Sequence, residues 1–283
     1  MERRSEVASV PSPDVTVSPG KHPMSTAAQG RQTVAGIERA LDVLALFGES
    51  TTRNLGVTEI AQELGLSKAV VHRILASFRA KGFVDLDETT RRSSLGPKIL
   101  FLGLDYLDGL DVLEVLREVM APLSGATHET VAFSLRSHDT RVFVDQVTPA
   151  REVRMQVPLG RPCPLHVGAS SKAFLAFLPQ DEVDAYLGSG RLERVTSRTV
   201  VDPRRLRRDL ASIREAGYAS SHGERAEGAA AVAAPVFGRS GSLEGVLSVC
   251  GPSDRFRDSA ERAAELLLDH AARASARLGH RGS

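Results

Sequence analysis

Cysteine is scarce: the 283 residues hold only Cys163 and Cys250. Two thiols exclude a disulfide framework and a four-thiolate zinc site, and they fit a reducing, cytosolic setting. Charge of one sign is not in excess. Lys plus Arg total 36 and Asp plus Glu 35, a formal net charge of +1. That balance excludes an indiscriminate polyanion binder but leaves room for a local basic face. No apolar run approaches the roughly 18 residues of a membrane span. The opening MERRSEVASVPSPDVTVSPG has no continuous apolar stretch, so no signal peptide is expected. Internal repeats are missing as well.

Signatures of catalysis and metal binding are also lacking. Ser170 and Ser171 lie near His166, but no G-x-S-x-G elbow frames them, and no residue is assigned a catalytic role. His166 is expected to cap or pack at a helix start. The two cysteines have no C-x-x-C partner and read as small hydrophobes. His128, His138, His166, His222 and His270 show neither H-x-x-x-H nor H-E-x-x-H spacing. No metal or other cofactor is expected, with a zinc site built from distant residues the one alternative left open.

What is present is enough for two cores: 42% of residues are hydrophobic and 25% charged, over a length that suits two domains of about 100–200 residues. Residues 1–33 carry Pro11, Pro13, Pro19 and Pro23 among Ser, Thr and Gly, which predicts a disordered tail. From Gly36 the pattern changes. Ile37, Ala40, Leu41 and Leu44 recur at helical spacing and predict a first helix. After the loop ESTTRNLG, Thr58 is expected to cap VTEIAQELGLS, with Glu59 favourably placed at the positive helix end. Gly65 breaks that helix and Ser67 caps the next, KAVVHRILASFRAKG.

Val71, Ile74, Leu75 and Phe78 form one apolar stripe on this third helix. FVDLDETTRRSSLG then reads as two short strands around a tip from Asp87 to Arg92. Helix, helix, tight turn, helix and hairpin make a winged helix-turn-helix over 34–96. Residues 97–114 are expected to form an interdomain helix, interrupted at Gly103 and Gly109, that buries one side against a partner. The remainder, 115–283, mixes types. Strands are predicted at TVAFSL, RVFVDQV, VRMQVPL, GYASS, AAVAAPVF and LEGVLSVCG. Helices are predicted at 168–178, 203–216 (with Asp202 as cap and Pro203 first) and 256–278. The fold class is therefore α+β, with the second domain built around an antiparallel sheet.

Each helical residue advances about 100°, so Ala69, Arg73 and Ala76 face away from the apolar stripe, flanked by Lys68 and His72. Between Ser67 and Lys81 stand four bases and no acid. A helix with small residues and bases on its free face can enter a major groove. Arg73 is assigned a base edge, because a guanidinium pairs bidentately with guanine. Lys68 and His72 are placed at bases or phosphates. Thr58 and Ser67, at helix starts, are placed at phosphates, and Arg91 and Arg92 at the backbone or minor groove from the wing. The bland alternative is a solvated basic face on a three-helix packing module. A related alternative keeps a ligand sensor but makes the winged helix a protein-interaction surface that does not touch DNA. The Arg-rich stretch Pro203–Arg208 reads as a solvated face, with a second anion surface the alternative.

At this point several stretches together resemble a known family. GIERALDVLALF, VTEIAQELGLSKAVVHRILASFRAKGFVDLD and SLGPKILFLG resemble the amino-terminal domain of IclR-type bacterial transcriptional regulators. RMQVPLGRPCPLHVGASSKAFLAFLP, DPRRLRRDLASIREAGYASS and AAVAAPVFGRSGSLEGVLSVCGP resemble their carboxy-terminal half, and the likeness spans about 33–278. The resemblance implies a GAF-like effector-binding domain behind the winged helix. It also implies a homodimer or dimer of dimers on an inverted-repeat operator of double-stranded DNA, and a small organic acid as effector. Carried over by position, the effector residues are Met155, Gly168, Ala169, Ser221, Ala231, Ser248 and Cys250. The turn Pro164-Leu165-His166 leads into a helix start whose free N–H groups favour a carboxylate. Ser248 and Cys250 share one strand face. Ser221 and Ser248 are expected to bond the ligand, with Met155 as an apolar wall. HGERAEGAAAVAAPV departs from the family in being alanine-rich, which points to a larger or more apolar acid, perhaps aromatic. Any single one of Met155, Ala231 and Cys250 can equally be ordinary core.

Overall fold

The buried apolar residues form one cluster in the first domain and three in the second. The computed structural model describes residues 34–50, 52–108 and 111–280, so the tail expected at 1–33 lies outside the described residues. Helix α1 (Ala35–Glu49) is followed by a two-residue strand β1 (Leu55–Gly56), then α2 (Val57–Glu63) and α3 (Lys68–Ala80). Strands β2 (Val84–Leu86) and β3 (Arg92–Leu95) form the wing. β1 was not foreseen. It pairs with β3 through Leu55–Ser93 and Gly56–Arg92, giving an antiparallel sheet of order β1-β3-β2. Val43, Phe47, Ile60, Val71, Leu75 and Val84 fill this small core.

Helix α1 turns a different face inward than its periodicity implied. Val43 and Phe47 are buried, whereas Ile37 and Leu41 stay 58% and 57% exposed. The inward face is Ala40, Val43, Leu44 and Phe47, so Leu41 lies to the side of it. The start of α2 also differs. Thr58 is not a cap but an exposed residue in the first turn, and Gly56 holds the cap position. The Gly56 amide donates to Glu59 Oε2 at 2.9 Å, the N3-to-cap half of a capping box, which needs no hydroxyl at the cap. Ser67 does cap α3, accepting from the Val70 amide at 3.3 Å. Gly65, at φ +63°, makes the left-handed bend between the two helices that an L side chain resists.

The connection expected over 97–114 is two helices. α4 (Pro97–Asp108) runs through Gly103 without a break, because one glycine costs a helix only about 1 kcal/mol. α5 (Asp111–Thr127) belongs to the second domain. Its Leu116, Met120 and Leu123 are fully buried there, so a boundary at 114 cuts an element that the second core requires.

The second domain continues with strands β4 (Thr130–Ser137), β5 (Thr140–Val147) and β6 (Pro162–Pro164), then helices α6 (Ala169–Ala176), α7 (Gln180–Gly188) and α8 (Pro203–Ala216). Strands β7 (Ala219–His222), β8 (Ala229–Phe237) and β9 (Leu243–Pro252) and helices α9 (Ser253–Phe256) and α10 (Ala260–Arg277) complete it. The sheet is six-stranded and antiparallel in the order β6-β5-β4-β9-β8-β7. Alternation divides its side chains between two faces. Val131, Phe133, Val232, Leu247 and Val249 meet α5 and α10 on one. Ala219, Ala233 and Val246 meet α6 and α8 on the other.

VRMQVPL does not form the expected strand. Gln146 takes the partner role instead, its side chain donating to the Val157 carbonyl at 3.0 Å and accepting from the Val157 amide at 2.9 Å. β6 was unforeseen and occupies the β5 edge at Thr140–Val142, with a single bridge from Phe143 to Leu159 beside it. The helix predicted over 256–278 is interrupted between α9 and α10, and α7 had no counterpart in the sequence reading. Asp202 caps α8 by accepting from the Arg204 amide at 2.9 Å, as expected. Among the described residues no helix is long and apolar enough to cross a membrane.

Candidate nucleic-acid interface and effector cavity

Packing Val71 and Leu75 inward leaves Ser67, Lys68, Ala69, His72, Arg73 and Ala76 exposed along one side of α3. Lys68 and Arg73 make no ion pair among the described residues, so both charges remain available at the amino-terminal half of the helix. The carboxy-terminal half is different. Arg79 reaches Glu88 of the wing at 3.0 Å, and Arg91 reaches the same carboxylate at 2.7 Å. Glu88 thus fixes the wing tip against α3, an ionic link that the sequence reading did not include. His72, Ala76, Arg79 and Arg91 line the groove between them.

The two wing arginines are not equivalent. Arg91 sits at the tip, in the left-handed region at φ +56°, with its side chain 74% exposed. Arg92, placed at the tip by the sequence reading, is the first residue of β3. Its guanidinium donates to Glu59 at 2.7 Å and to the Asn54 carbonyl at 2.8 Å, tying the wing to the start of α2. The Gly56 amide and then the Arg92 guanidinium hold the Glu59 carboxyl below its usual range. Arg92 is therefore a structural clamp in this chain. Thr58 is exposed beside it, with no capping bond.

In the second domain a cavity opens between the α6 start and the sheet face opposite α5 and α10. Gly168, Ala169, Ser221, Ala231, Ser248 and Cys250 line it, six of the seven residues carried over by position. Met155 does not. Its carbonyl accepts from Thr130 Oγ1 at 2.6 Å, and Val157, two residues on, supplies the wall instead. Gly168 at φ +83° turns the chain into α6, and the Ala169 amide donates to Ser221 Oγ at 2.9 Å. The Ser221 hydroxyl hydrogen stays free for a ligand. Ser248 is already engaged: it donates to the Ala132 carbonyl at 3.1 Å, so it cannot also donate to a ligand as expected. Burial raises the Cys250 thiol to about 11, which keeps it neutral.

Two arginines that sequence reasoning missed dominate the cavity. Arg141 on β5 and Arg225 after β7 both line it, beside Ala226, Ala229 and Ala230 of the alanine-rich stretch. Arg141 is 2% exposed. Its Nε donates to Ser171 Oγ at 3.1 Å, and its guanidinium lies 3.7 Å over the Phe143 ring. Among the described residues it has no ion-pair partner, and the Cys163 side chain is its other hydrogen-bonding neighbour. Burial in the first place, with a like charge on Arg225 adding to it, lowers the Arg141 guanidinium to about 10, still cationic near neutrality. A signal for Arg141 did exist: in RVFVDQV it shares the inward face with Phe143. The free volume is about 30 Å³, on the scale of one or two waters, within an envelope of about 410 Å³. The room for a bulky acid that the alanines implied is not there.

Neighbouring groups are closed among themselves. Lys172 and Glu224 form a buried ion pair at 2.6 Å. His166 is fully buried, with Nε2 2.9 Å from the Glu193 carbonyl and Nδ1 2.8 Å from the Tyr186 hydroxyl. A carbonyl only accepts, so Nε2 carries the proton and Nδ1 accepts from Tyr186, whose hydroxyl burial pushes up to about 12. This histidine packs the approach to the helix, as expected. In the Arg-rich helix α8, Leu206, Leu210 and Ile213 point inward and Arg207 pairs with Asp184 at 2.8 Å. Among the described residues no cluster of three His, Cys, Asp or Glu side chains forms a metal site.

Residues 36–88 match the IclR helix-turn-helix domain, and residues 104–276 match the family described as bacterial transcriptional regulator IclR, C-terminal. The chain is 33% identical over 226 residues to the HTH-type transcriptional regulator BhcR of Paracoccus denitrificans, covering 80% of each protein. An IclR transcriptional regulator from Alicyclobacillus acidocaldarius is 31% identical, with a TM-score of 0.78 over 87% of this chain and all of that one. An IclR homolog from Microbacterium hydrocarbonoxydans, complexed with 4-hydroxybenzoate, shares the fold at 22% identity, with a TM-score of 0.75 over 86% of this chain and 99% of that one. A basic helix-turn-helix followed by a small cation-lined cavity against an antiparallel sheet, with both halves matched in order, leads to one conclusion: this chain belongs to the IclR family of DNA-binding bacterial transcriptional regulators, with a carboxy-terminal effector-binding domain.

Proposed function

We propose that the chain acts in the cytoplasm as a homodimer or dimer of dimers, binding an inverted-repeat operator, and that a small organic carboxylate in the α6 cavity modulates that binding. The observation that carries the effector assignment is Arg141: a buried cation that lines a cavity at a helix start and has no carboxylate partner among the described residues. A carboxylate completes that geometry bidentately. Its second oxygen meets the free helix-start N–H groups and the Ser221 hydroxyl. The Microbacterium relative complexed with 4-hydroxybenzoate supports an organic acid as the class.

Arg73 and Lys68 are the groups we assign to DNA, Arg73 at a base edge and Lys68 at a phosphate, with Ser67, Ala69 and His72 alongside and Arg91 reaching from the wing. Thr58 is placed near the backbone. The dimer reading draws on exposed apolar faces: Leu100, Phe101 and Leu104 on α4, and Ile37 and Leu41 on α1, are all solvent-exposed in one copy. Soluble monomers rarely leave large apolar faces uncovered, and a second copy supplies the cover. Each effector must then favour one arrangement of the paired recognition helices, so acid and operator alter each other's affinity reciprocally.

The test is binding to DNA upstream of the protein's own gene, titrated with salt and with carboxylic acids. Specific, salt-steep binding that an acid strengthens or weakens is the expected result. Salt-indifferent association, or no operator within a wider DNA library, moves the winged helix to a protein partner.

A further inference from the structure

We propose that the α6 cavity takes a short organic dianion, such as a small dicarboxylate, and that Arg225 is the residue that discriminates it from a monoanion. This rests on the organic-acid reading above and adds the ligand's charge. Two cations, Arg141 and Arg225, line one cavity, and no aspartate or glutamate lines it with them. The acid adjoining Arg225 in sequence, Glu224, is held by Lys172 at 2.6 Å. Arg225 itself makes no hydrogen bond or ion pair among the described residues. The Cys250 thiol, the other titratable group in the wall, is neutral.

Charge arithmetic follows. A monoanion neutralises one guanidinium and leaves one uncompensated charge on the pair formed by the buried Arg141 and the half-buried Arg225. A dianion cancels both and removes their mutual repulsion. Position supports the same conclusion. Arg225 Cβ lies 3.5 Å from where a Cβ on Gly168 would stand, so the Arg225 stem passes over the α6 start. Arg141 reaches the same helix from the sheet side, through Ser171 at 3.1 Å. The two guanidinium groups thus approach one small space from different elements.

The experiment is isothermal titration of the full chain at pH 7.5 and fixed ionic strength with succinate, glutarate and adipate, each paired with its monomethyl ester. Length is conserved within each pair and one charge is removed. The expected result is that at least one dianion binds about tenfold or more tighter than its ester. Arg225→Gln should erase that preference, and Arg225→Lys should retain part of it. Operator binding by the variants verifies that they are folded. Esters binding as tightly as the diacids overturn the dianion and leave the organic-acid reading intact. A preference that survives in Arg225→Gln removes Arg225 as its source. Absence of binding by both classes up to about 10 mM, in protein that holds its operator, overturns the organic-acid reading and this inference with it.

Discussion

The guanidinium of Arg141 stacks 3.7 Å over the ring of Phe143, two residues along the same strand. The ring face and Ser171 partly replace water around the cation, which lines the cavity. Arg141→Met retains the stem and removes the buried charge. Its ligand-free form should gain about 1–2 kcal/mol, seen as a rise of about 2–8 °C in melting temperature, and should lose any acid-induced shift. Thermal scans with and without a bound acid check both. A variant that melts lower yet still responds to acid contradicts the assignment.

Arg73 and Lys68 separate by their DNA signatures. Arg73→Ala should weaken operator binding by about 1–3 kcal/mol and relax preference at one base position. Lys68→Ala should weaken all sequences alike and reduce the salt slope by about one. Fluorescence anisotropy against a set of single-base operator variants reads both. Unchanged affinity in Arg73→Ala removes that residue from the base contact.

Glu59 makes the winged domain sensitive to acid. Its folded carboxyl is lowered from 4.5 by the Gly56 amide and the Arg92 guanidinium. A lowered carboxyl contributes stability that is present above 4.5 and is lost as pH falls through the folded value. Amide exchange of β1 and β3 should therefore accelerate on acidification below 4.5. Glu59→Gln should flatten that part of the profile. Equal pH profiles in the two proteins would remove Glu59 as the cause.

Lys172 and Glu224 test what the packing beside the cavity requires. Both are nearly buried, and Glu224 Oε2 has no partner of its own. Lys172→Met strands the carboxylate and should cost about 3–5 kcal/mol. Lys172→Met with Glu224→Leu should recover most of that loss. Urea unfolding of the single and double variants decides it. A double variant as unstable as the single one means the pair has no such coupling.

Much of the first domain was legible because local rules govern it. The Ser67 cap, the left-handed bend at Gly65 and the stripe Val71, Leu75 need only neighbours in sequence, and all stand where their spacing put them. Asp202 before Pro203 set the start of α8 for the same reason. Local rules failed where a distant group took over. Thr58 lost the cap to Gly56 because Glu59 satisfies that end and Arg92, far along the chain, holds Glu59 in place. VRMQVPL has strand composition, yet Gln146 claims its backbone.

By itself, then, the sequence determined the winged helix, the basic face of α3, the alternating strands and the α6 start, because capping, periodicity and charge are properties of short segments. Tertiary structure alone decided which cations are available. It tied Arg92 to Glu59 and Arg79 to Glu88 and, among the described residues, left Lys68 and Arg73 without an ion pair. It also brought Arg141, on β5, and Arg225, in the turn between β7 and β8, to one cavity. Whether a charge is matched depends on what the fold places within a few ångströms of it, and no local spacing carries that information.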